Sequence, residues 1–455
     1  MNGGIWTRSG LVTNFLQGDG VLLMRLQPRA LSLRRNFAWS FVGNSVYNLT
    51  QWLLLVFLAR LGNAELVGQF ALSLAISAPV FLCIGLNLRV VRATDVARAW
   101  RQVDYLRLRS LLNILAAIVS MAVGLVLGLR GEELLVLAAI AAAKSVEATS
   151  HTYYGLFQLR ERLDLVARSL LLRAAMGAVL FVVGIATTGR LVFACLGLFL
   201  GWVLPLLVID RRMGRQLVAT ESSEHQPFSN EVDWPAMVAL AKKASPLGVD
   251  AGLSSLSINV PRYLVEILLG TARLGVFAAL AYLAQVISMI AGAMGETVVP
   301  RLAVYYAARE RRLYLRLLAQ LTGFGAAVTV AVMSGALLVG APFIKVTLGP
   351  DYVDLPLLVI LMLSAGLTTI QRCLGRGLQA AHQYTAFLIA DVVTLASIVL
   401  VGPFLVSDLG VVGAAWSLCV GFAVGIVTTL LFLVRVVREF PRDLASADDE
   451  SEEVL

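Results

Sequence analysis

The chain is 455 residues long, 58% hydrophobic and 15% charged, with a mean hydropathy of +0.81. A soluble domain carries about 25% charged residues, so a water-soluble globule of this size could not hide so much apolar surface, and the chain reads as one integral membrane body. The net charge of +8 raises nucleic-acid binding as an alternative, which the placement of the basic residues decides.

Residues 1–35 mix Gly, Arg and short apolar pieces such as Gly20–Met24, and lack the apolar core and cleavage site of a secretory signal. They are expected to form a cytoplasmic N-terminal segment, with Met24 as an alternative start. A spanning helix needs about 20 mostly apolar residues that satisfy their own backbone hydrogen bonds. Six such runs follow: Phe37–Ala59, Leu66–Leu88, Leu111–Leu129, Leu134–Phe157, Leu170–Thr188 and Leu191–Ile209. After the polar stretch Asp210–Asp233 come six more: Ala244–Leu268, Leu274–Val299, Leu317–Val339, Leu355–Leu378, Ala386–Leu405 and Val411–Val434. Pro246, Pro261, Arg262 and Glu266 blur the boundaries of the seventh and eighth. The resulting division is an N-lobe over residues 36–210, a cytoplasmic linker over 211–235, a C-lobe over 236–434, and a cytoplasmic tail over 435–455 with the acidic run Asp448–Glu453.

Lys and Arg concentrate in cytoplasmic loops. With the N-terminus inside, 30 of the 37 basic residues fall on the cytoplasmic side and six outside (Arg60, Arg130, Arg190, Arg262, Arg273, Lys345), while Lys144 lies within a span. A missed or invented helix would destroy that alternation, so it supports twelve spans with both termini cytoplasmic. It also excludes nucleic acid as a partner, because the basic residues answer to topology.

The second and eighth spans open alike, Leu66-Val67-Gly68-Gln69-Phe70-Ala71-Leu72 against Leu274-Gly275-Val276-Phe277-Ala278-Ala279-Leu280. Gly68 maps onto Gly275 with an offset of 207, which also carries Asn36 onto Lys243. Six spans per half means that both halves enter the membrane in the same direction. That is the parallel-repeat arrangement of secondary transporters, with the substrate path between the lobes.

Ionisable residues inside spans cost several kcal/mol and mark a cavity or a pairing. In the fourth span Lys144, Glu147, His151, Tyr154 and Gln158 recur at helical spacing. They either line a wet stripe or, for Lys144 and Glu147, pair to hold helices together. The seventh span carries Asp250, Ser254, Ser257 and Asn259 ahead of Pro261 and Arg262. Arg372 and Arg376, four residues apart at the end of the tenth span, either contact a phosphate or anchor the span at the membrane surface. Asp250, Glu296 and Asp391 are the coupling-ion candidates. Cys83, Cys195, Cys373 and Cys419 fall in or beside apolar stretches with no metal or redox spacing, and no nucleotide-binding P-loop occurs. No metal, cofactor or catalytic residue is expected, so the chain reads as a carrier and not an enzyme.

Several stretches carry a family resemblance: Leu66–Pro79; Lys144–Ser169 with Glu147, Gly155, Gln158 and Arg168; Asn259-Val260-Pro261-Arg262-Tyr263 leading to Leu274-Gly275-Val276-Phe277; Val299–Ala303; and Leu348–Tyr352. In order and spacing they resemble the polysaccharide-export flippases, of O-antigen or exopolysaccharide type, of the multidrug/oligosaccharidyl-lipid/polysaccharide exporter superfamily. The resemblance implies an all-α bundle of about twelve transmembrane helices in two lobes around a central cavity. It also implies transfer of undecaprenyl-pyrophosphate-linked oligosaccharide across the bacterial inner membrane by alternating access, with membrane lipids, a polysaccharide polymerase and chain-length components as candidate partners. A cationic cavity suits an anionic diphosphate, and the matching positions are Lys144, Arg262, Arg372 and Arg376, with Glu147, His151, Asp250 and Asn259 beside them. An ion-coupled drug exporter of the same superfamily, using Asp250, Glu296 or Asp391, is the main alternative, and a membrane component of glycan assembly is a third.

Overall fold

A computed structural model of the chain describes residues 32–222 and 233–438. Residues 1–31 of the expected N-terminal segment, with the Met24 start, part of the linker and residues 439–455 of the tail lie outside the described residues, while the first helix already begins at Leu33 and the last helix runs to Arg438. Within them the chain is helical and contains no strand. The first half comprises α1 (Leu33–Leu61), α2 (Ala64–Ile84), a short α3 (Leu88–Thr94), α4 (Gln102–Val126), α5 (Gly131–Leu159), α6 (Leu163–Thr188) and α7 (Leu191–Pro205). After Pro205 the chain widens into a π-helical turn, Leu206–Arg211, and runs on as α8 (Arg212–Ser222). The second half comprises α9 (Trp234–Leu269), α10 (Thr271–Ala307), α11 (Arg311–Thr347), α12 (Leu355–Ala380) and α13 (Tyr384–Arg438). α13 is two spans joined at Gly410, whose φ of 61° and ψ of −137° are open to glycine and strained for other residues.

Nine helices among the described residues are long and apolar enough to cross a membrane, with α13 counted once. Resolving α13 into its two arms and adding α9 and α10, 36 and 37 residues long, gives the twelve expected spans. α9 is the more polar because it is threaded with serines, Asp250 and Asn259. It runs unbroken through Pro246 and Pro261. Side-chain caps start several helices: Asn63 accepts from the Leu66 amide at 2.9 Å, Asp233 from Ala236 at 2.9 Å and Asp354 from Leu357 at 3.0 Å.

In the first half α6 packs between α1 and α7, and α5 lies against α2, α4 and α7. The second half repeats the pattern, with α13 against α9 and α12, and α12 against α10 and α11. The halves meet along α2, which packs on both α9 and α10. There the repeat becomes a contact. A Cβ added at Gly68 would lie 2.0 Å from the Thr271 carbonyl oxygen, and one at Gly275 would lie 2.0 Å from the Ala64 carbonyl oxygen. Thr271 is Ala64 displaced by the same offset of 207, so the approach is reciprocal about a pseudo-twofold axis between the two glycines.

Successive spans alternate direction. The ends of α2, α5 and α12 and the starts of α4, α9 and α13 therefore share one end of the bundle, here called the basic end. The opposite end is sealed by the Gly68–Gly275 approach, by Trp52 stacked on Phe343 at 5.9 Å, and by Arg60. Arg60 donates to the carbonyls of Lys345 at 3.1 Å, Thr347 at 2.9 Å and Val346, capping the C-terminal turn of α11.

Candidate functional site

Two polar pockets lie toward the basic end, one in each half. The first, about 210 Å³, is bounded by α2, α4 and α5 and lined by Arg89, Arg109, Lys144, Glu147 and His151. Its geometry rests on two glycines. Gly155 lets α3 lie on α5, since a Cβ there would meet the Arg89 carbonyl oxygen at 2.6 Å. Gly85 leaves space for Arg109, whose guanidinium nitrogen would be 2.7 Å from a Cβ at that position. The buried Arg109 also donates to Thr152 Oγ1 at 3.2 Å. Lys144 Nζ donates to Glu147 Oε2 at 2.7 Å, and Tyr47 donates to Glu147 Oε1 at 2.6 Å. Glu147 thus ties α1 to α5 through Tyr47, and its pair with Lys144 borders the cavity.

The stripe on α5 is narrower than its spacing implies. At about 100° per residue Tyr154 lies about 80° round from Lys144, and it is fully buried against Ser169 at 2.8 Å. It turns toward Arg173, a residue counted among the cytoplasmic anchors. Arg173 is instead wholly buried, 4.0 Å from an equally buried Asp210, with its guanidinium 5.4 Å from the Trp202 ring and 5.8 Å from that of Tyr154. In sequence Asp210 opens the polar stretch that follows the sixth span. The π-helical turn after Pro205 carries it inward, because one extra residue per turn rotates the following side chains.

The second pocket, about 250 Å³, lies between α9, α12 and both arms of α13. It is lined by Asp250, Ser254, Gln371, Arg372, Arg376 and Asp391, among others. Asp391 has the local partners that its sequence neighbourhood does not reveal: Ser254 donates to it at 2.9 Å and the Gln371 amide at 3.4 Å. Gln371 also donates to Thr394 at 2.9 Å. Gly425 on the second arm of α13 makes room for this pair, since a Cβ there would be 2.1 Å from Thr394 Oγ1. Buried carboxylate and amide oxygens, Asp250 Oδ1 and Gln371 Oε1, have no hydrogen-bond partner among the described residues. The offset of 207 places Tyr47 over Ser254, so the same backbone position in each half donates to a carboxylate, Glu147 in one and Asp391 in the other.

The remaining candidates separate from these pockets. Asn259 accepts from Arg262 Nη1 at 2.6 Å, and both are buried. Arg262 stands over Tyr282 at 5.7 Å beside its own small cavity of about 60 Å³, not in the Arg372–Arg376 pocket. The Glu296 side chain lies outside the described residues. Sequence reasoning passed over Arg89, Arg109, Tyr47, Gln371 and Thr394 as site residues. Arg89 and Arg109 were absorbed into the topological count, and the other three gain significance only from the helices they face.

Residues 33–305 match the family described as polysaccharide biosynthesis protein. The capsular polysaccharide biosynthesis protein CapF of Staphylococcus aureus is 24% identical over 404 residues, 88% of this chain and 99% of its own. Among solved structures, an inward-facing multidrug resistance transporter of the MATE family and MOP superfamily superposes with a TM-score of 0.69 at 15% identity, over 89% of this chain and 100% of its own. The lipid II flippase MurJ in an inward closed conformation gives 0.66 at 13%, over 88% and 89%. An outward-facing MATE transporter gives 0.61 at 16%, over 88% and 94%.

Proposed function

From the premise that the chain belongs to the polysaccharide biosynthesis protein family, we propose that it is a flippase for undecaprenyl-pyrophosphate-linked oligosaccharide, working by alternating access in the bacterial inner membrane. The observation that carries this reading is the charge of the first pocket, where Arg89, Arg109 and Lys144 stand against the single carboxylate of Glu147. A net positive, partly enclosed pocket attracts a diphosphate, and each charge-assisted hydrogen bond to it contributes about 1.5–3 kcal/mol. The same charge repels the organic cations that a multidrug exporter would carry.

The basic end faces the cytoplasm in this reading, with both termini there. The structure is then the state that receives substrate from inside, in keeping with its sealed opposite end and its higher TM-score to the inward-facing MATE transporter than to the outward-facing one. The second pocket balances Arg372 and Arg376 against Asp250 and Asp391. Its neutral balance and open carboxylate suit a coupling cation or proton, with Glu296 the third candidate. Polymerase and chain-length components would receive the product on the far side.

The test is reconstitution in liposomes with a fluorescent polyprenyl-diphosphate oligosaccharide, following its arrival in the opposite leaflet by a membrane-impermeant quencher. Protein-dependent transfer that Arg89→Gln/Arg109→Gln slows at least tenfold is the expected result. Wild-type protein that moves organic cations and leaves the lipid-linked sugar in place would overturn the reading.

A further inference from the structure

A third cavity, about 640 Å³, opens on the outer face of the second half, away from both polar pockets. One wall is a stripe on α11, running from Arg311 through Leu315 to Ala326 with Ala319 and Gly323 between; the other is Leu430 to Arg438 on α13, and Leu374 of α12 forms the floor. Every lipid-facing surface is apolar, so apolar walls alone distinguish nothing. This surface is recessed: it holds about 640 Å³ between α11 and α13, and Ala319 and Gly323 leave open space on the α11 wall. It is also capped at the basic end by two arginines, Arg311 and Arg438, with no carboxylate in its lining. From 311 to 326 the stripe runs about 22 Å along the helix, enough to cross one leaflet of a hydrocarbon core about 30 Å thick.

We propose that this groove binds an anionic phospholipid, with one acyl chain along α11 and α13 and the phosphate between Arg311 and Arg438. The occupant is a membrane phospholipid and not the carrier lipid of the transported sugar, because the groove and the polar pocket lie on opposite faces of α12. Leu374 faces the groove, while Arg372 and Arg376, two residues to either side, face the pocket. A lipid seated in the groove therefore bears on the helix that positions the pocket's cations. Leaflet charge becomes an input to the transporter at a site the substrate does not occupy.

The experiment uses the full chain in nanodiscs of phosphatidylcholine, and in nanodiscs with half of it replaced by phosphatidylglycerol, reading retained lipid by native mass spectrometry. Phosphatidylglycerol should be retained selectively. Arg311→Gln/Arg438→Gln should weaken retention about thirtyfold, from roughly 1 kcal/mol per cation near the surface. Gly323→Leu, which fills the groove without changing charge, should displace the lipid too, and size-exclusion profiles report that each variant is folded. Equal retention of the two lipids, or of phosphatidylglycerol by wild type and the arginine variant, would overturn the proposal. So would displacement by inorganic phosphate alone, preferential retention of a polyprenyl phosphate, or no retention because residues 439–455 fill the groove.

Discussion

Gly68→Ala places one methyl group where the two halves of the protein come closest. The new Cβ would sit 2.0 Å from the Thr271 carbonyl oxygen, and ordinary contact begins at 3.4 Å, so α2 and α10 must separate by 1.4 Å at that end. Overpacking of this kind costs about 1–3 kcal/mol. The roughly 1 kcal/mol gained by replacing glycine with alanine inside a helix is common to every conformation and does not bias them. The penalty falls only on states in which this end is sealed, so it shifts the equilibrium toward states open there by about 5- to 150-fold. Gly275→Ala meets the Ala64 carbonyl at the same 2.0 Å and should act identically. The double variant should add little, because one separation relieves both clashes. Nitroxides at the exposed Leu61 and Val346, near the Arg60 cap, should show strong dipolar broadening in wild type and lose it in each variant. Gly335→Ala, with nothing within 4 Å of its Cβ, is the control and should leave the spectrum unchanged. Unaltered broadening in both Gly68→Ala and Gly275→Ala, in folded protein, would refute the idea that this contact is where the halves pivot.

Lys144→Ala should lower oligosaccharide transfer more than about tenfold while the protein stays folded, since its side chain is 22% exposed; full activity there and in Arg376→Ala would make both residues structural anchors. Arg173→Met and Asp210→Asn should each cost about 3–5 kcal/mol by leaving a buried charge alone. Combining them should restore most of the thermal stability, and singles no worse than the double would show that the two groups do not compensate each other. Arg60→Ala should weaken the sealed end in the same dipolar measurement, because the last carbonyls of α11 lose their donor. Asp391→Asn should remove the dependence of transfer on an imposed ion gradient and leave substrate binding intact, as measured by fluorescence anisotropy.

The spans were legible because lipid imposes a simple rule, about 20 apolar residues with every backbone group satisfied internally. The rule gave twelve helices, although α9 begins ten residues earlier and α10 ends eight residues later than the apolar runs suggest. The repeat was legible at Gly68 and Gly275 because close backbone approach demands glycine at both. The interior pair of Arg173 and Asp210 was not. Arg173 and Asp210 sit beside loop cations in sequence, and hydropathy cannot tell a charge at a helix end from one rotated inward by a π turn. Asp391 looked isolated because its partners, Ser254 and Gln371, are 137 and 20 residues away. Arg262 lines a small cavity of its own and is held by Asn259, one turn earlier on α9, a pairing that sequence spacing alone does not single out.

Matching backbones with diverged side chains give the two halves different work. Tyr47 and Ser254 occupy equivalent positions and each donates to an acid, yet the surroundings differ. Where α1, α5, α6 and α7 meet, Lys144 and Arg173 offset Glu147 and Asp210, with Trp202 and Tyr154 filling the space between, and the Lys144–Glu147 pair borders the first pocket. Between α9, α12 and α13 lies the second pocket, where a carboxylate oxygen of Asp250 and the amide oxygen of Gln371 have no partners among the described residues. Buried oxygens without donors are costly and persist where something else completes them. The first pocket carries net positive charge, while in the second Arg372 and Arg376 are balanced by Asp250 and Asp391. In the proposed carrier, that difference in charge assigns the coupling ion to the second pocket and the anionic headgroup to the first. Substitutions at Asp250 or Asp391 should then alter energy coupling, while those at Arg89, Arg109 or Lys144 alter substrate affinity.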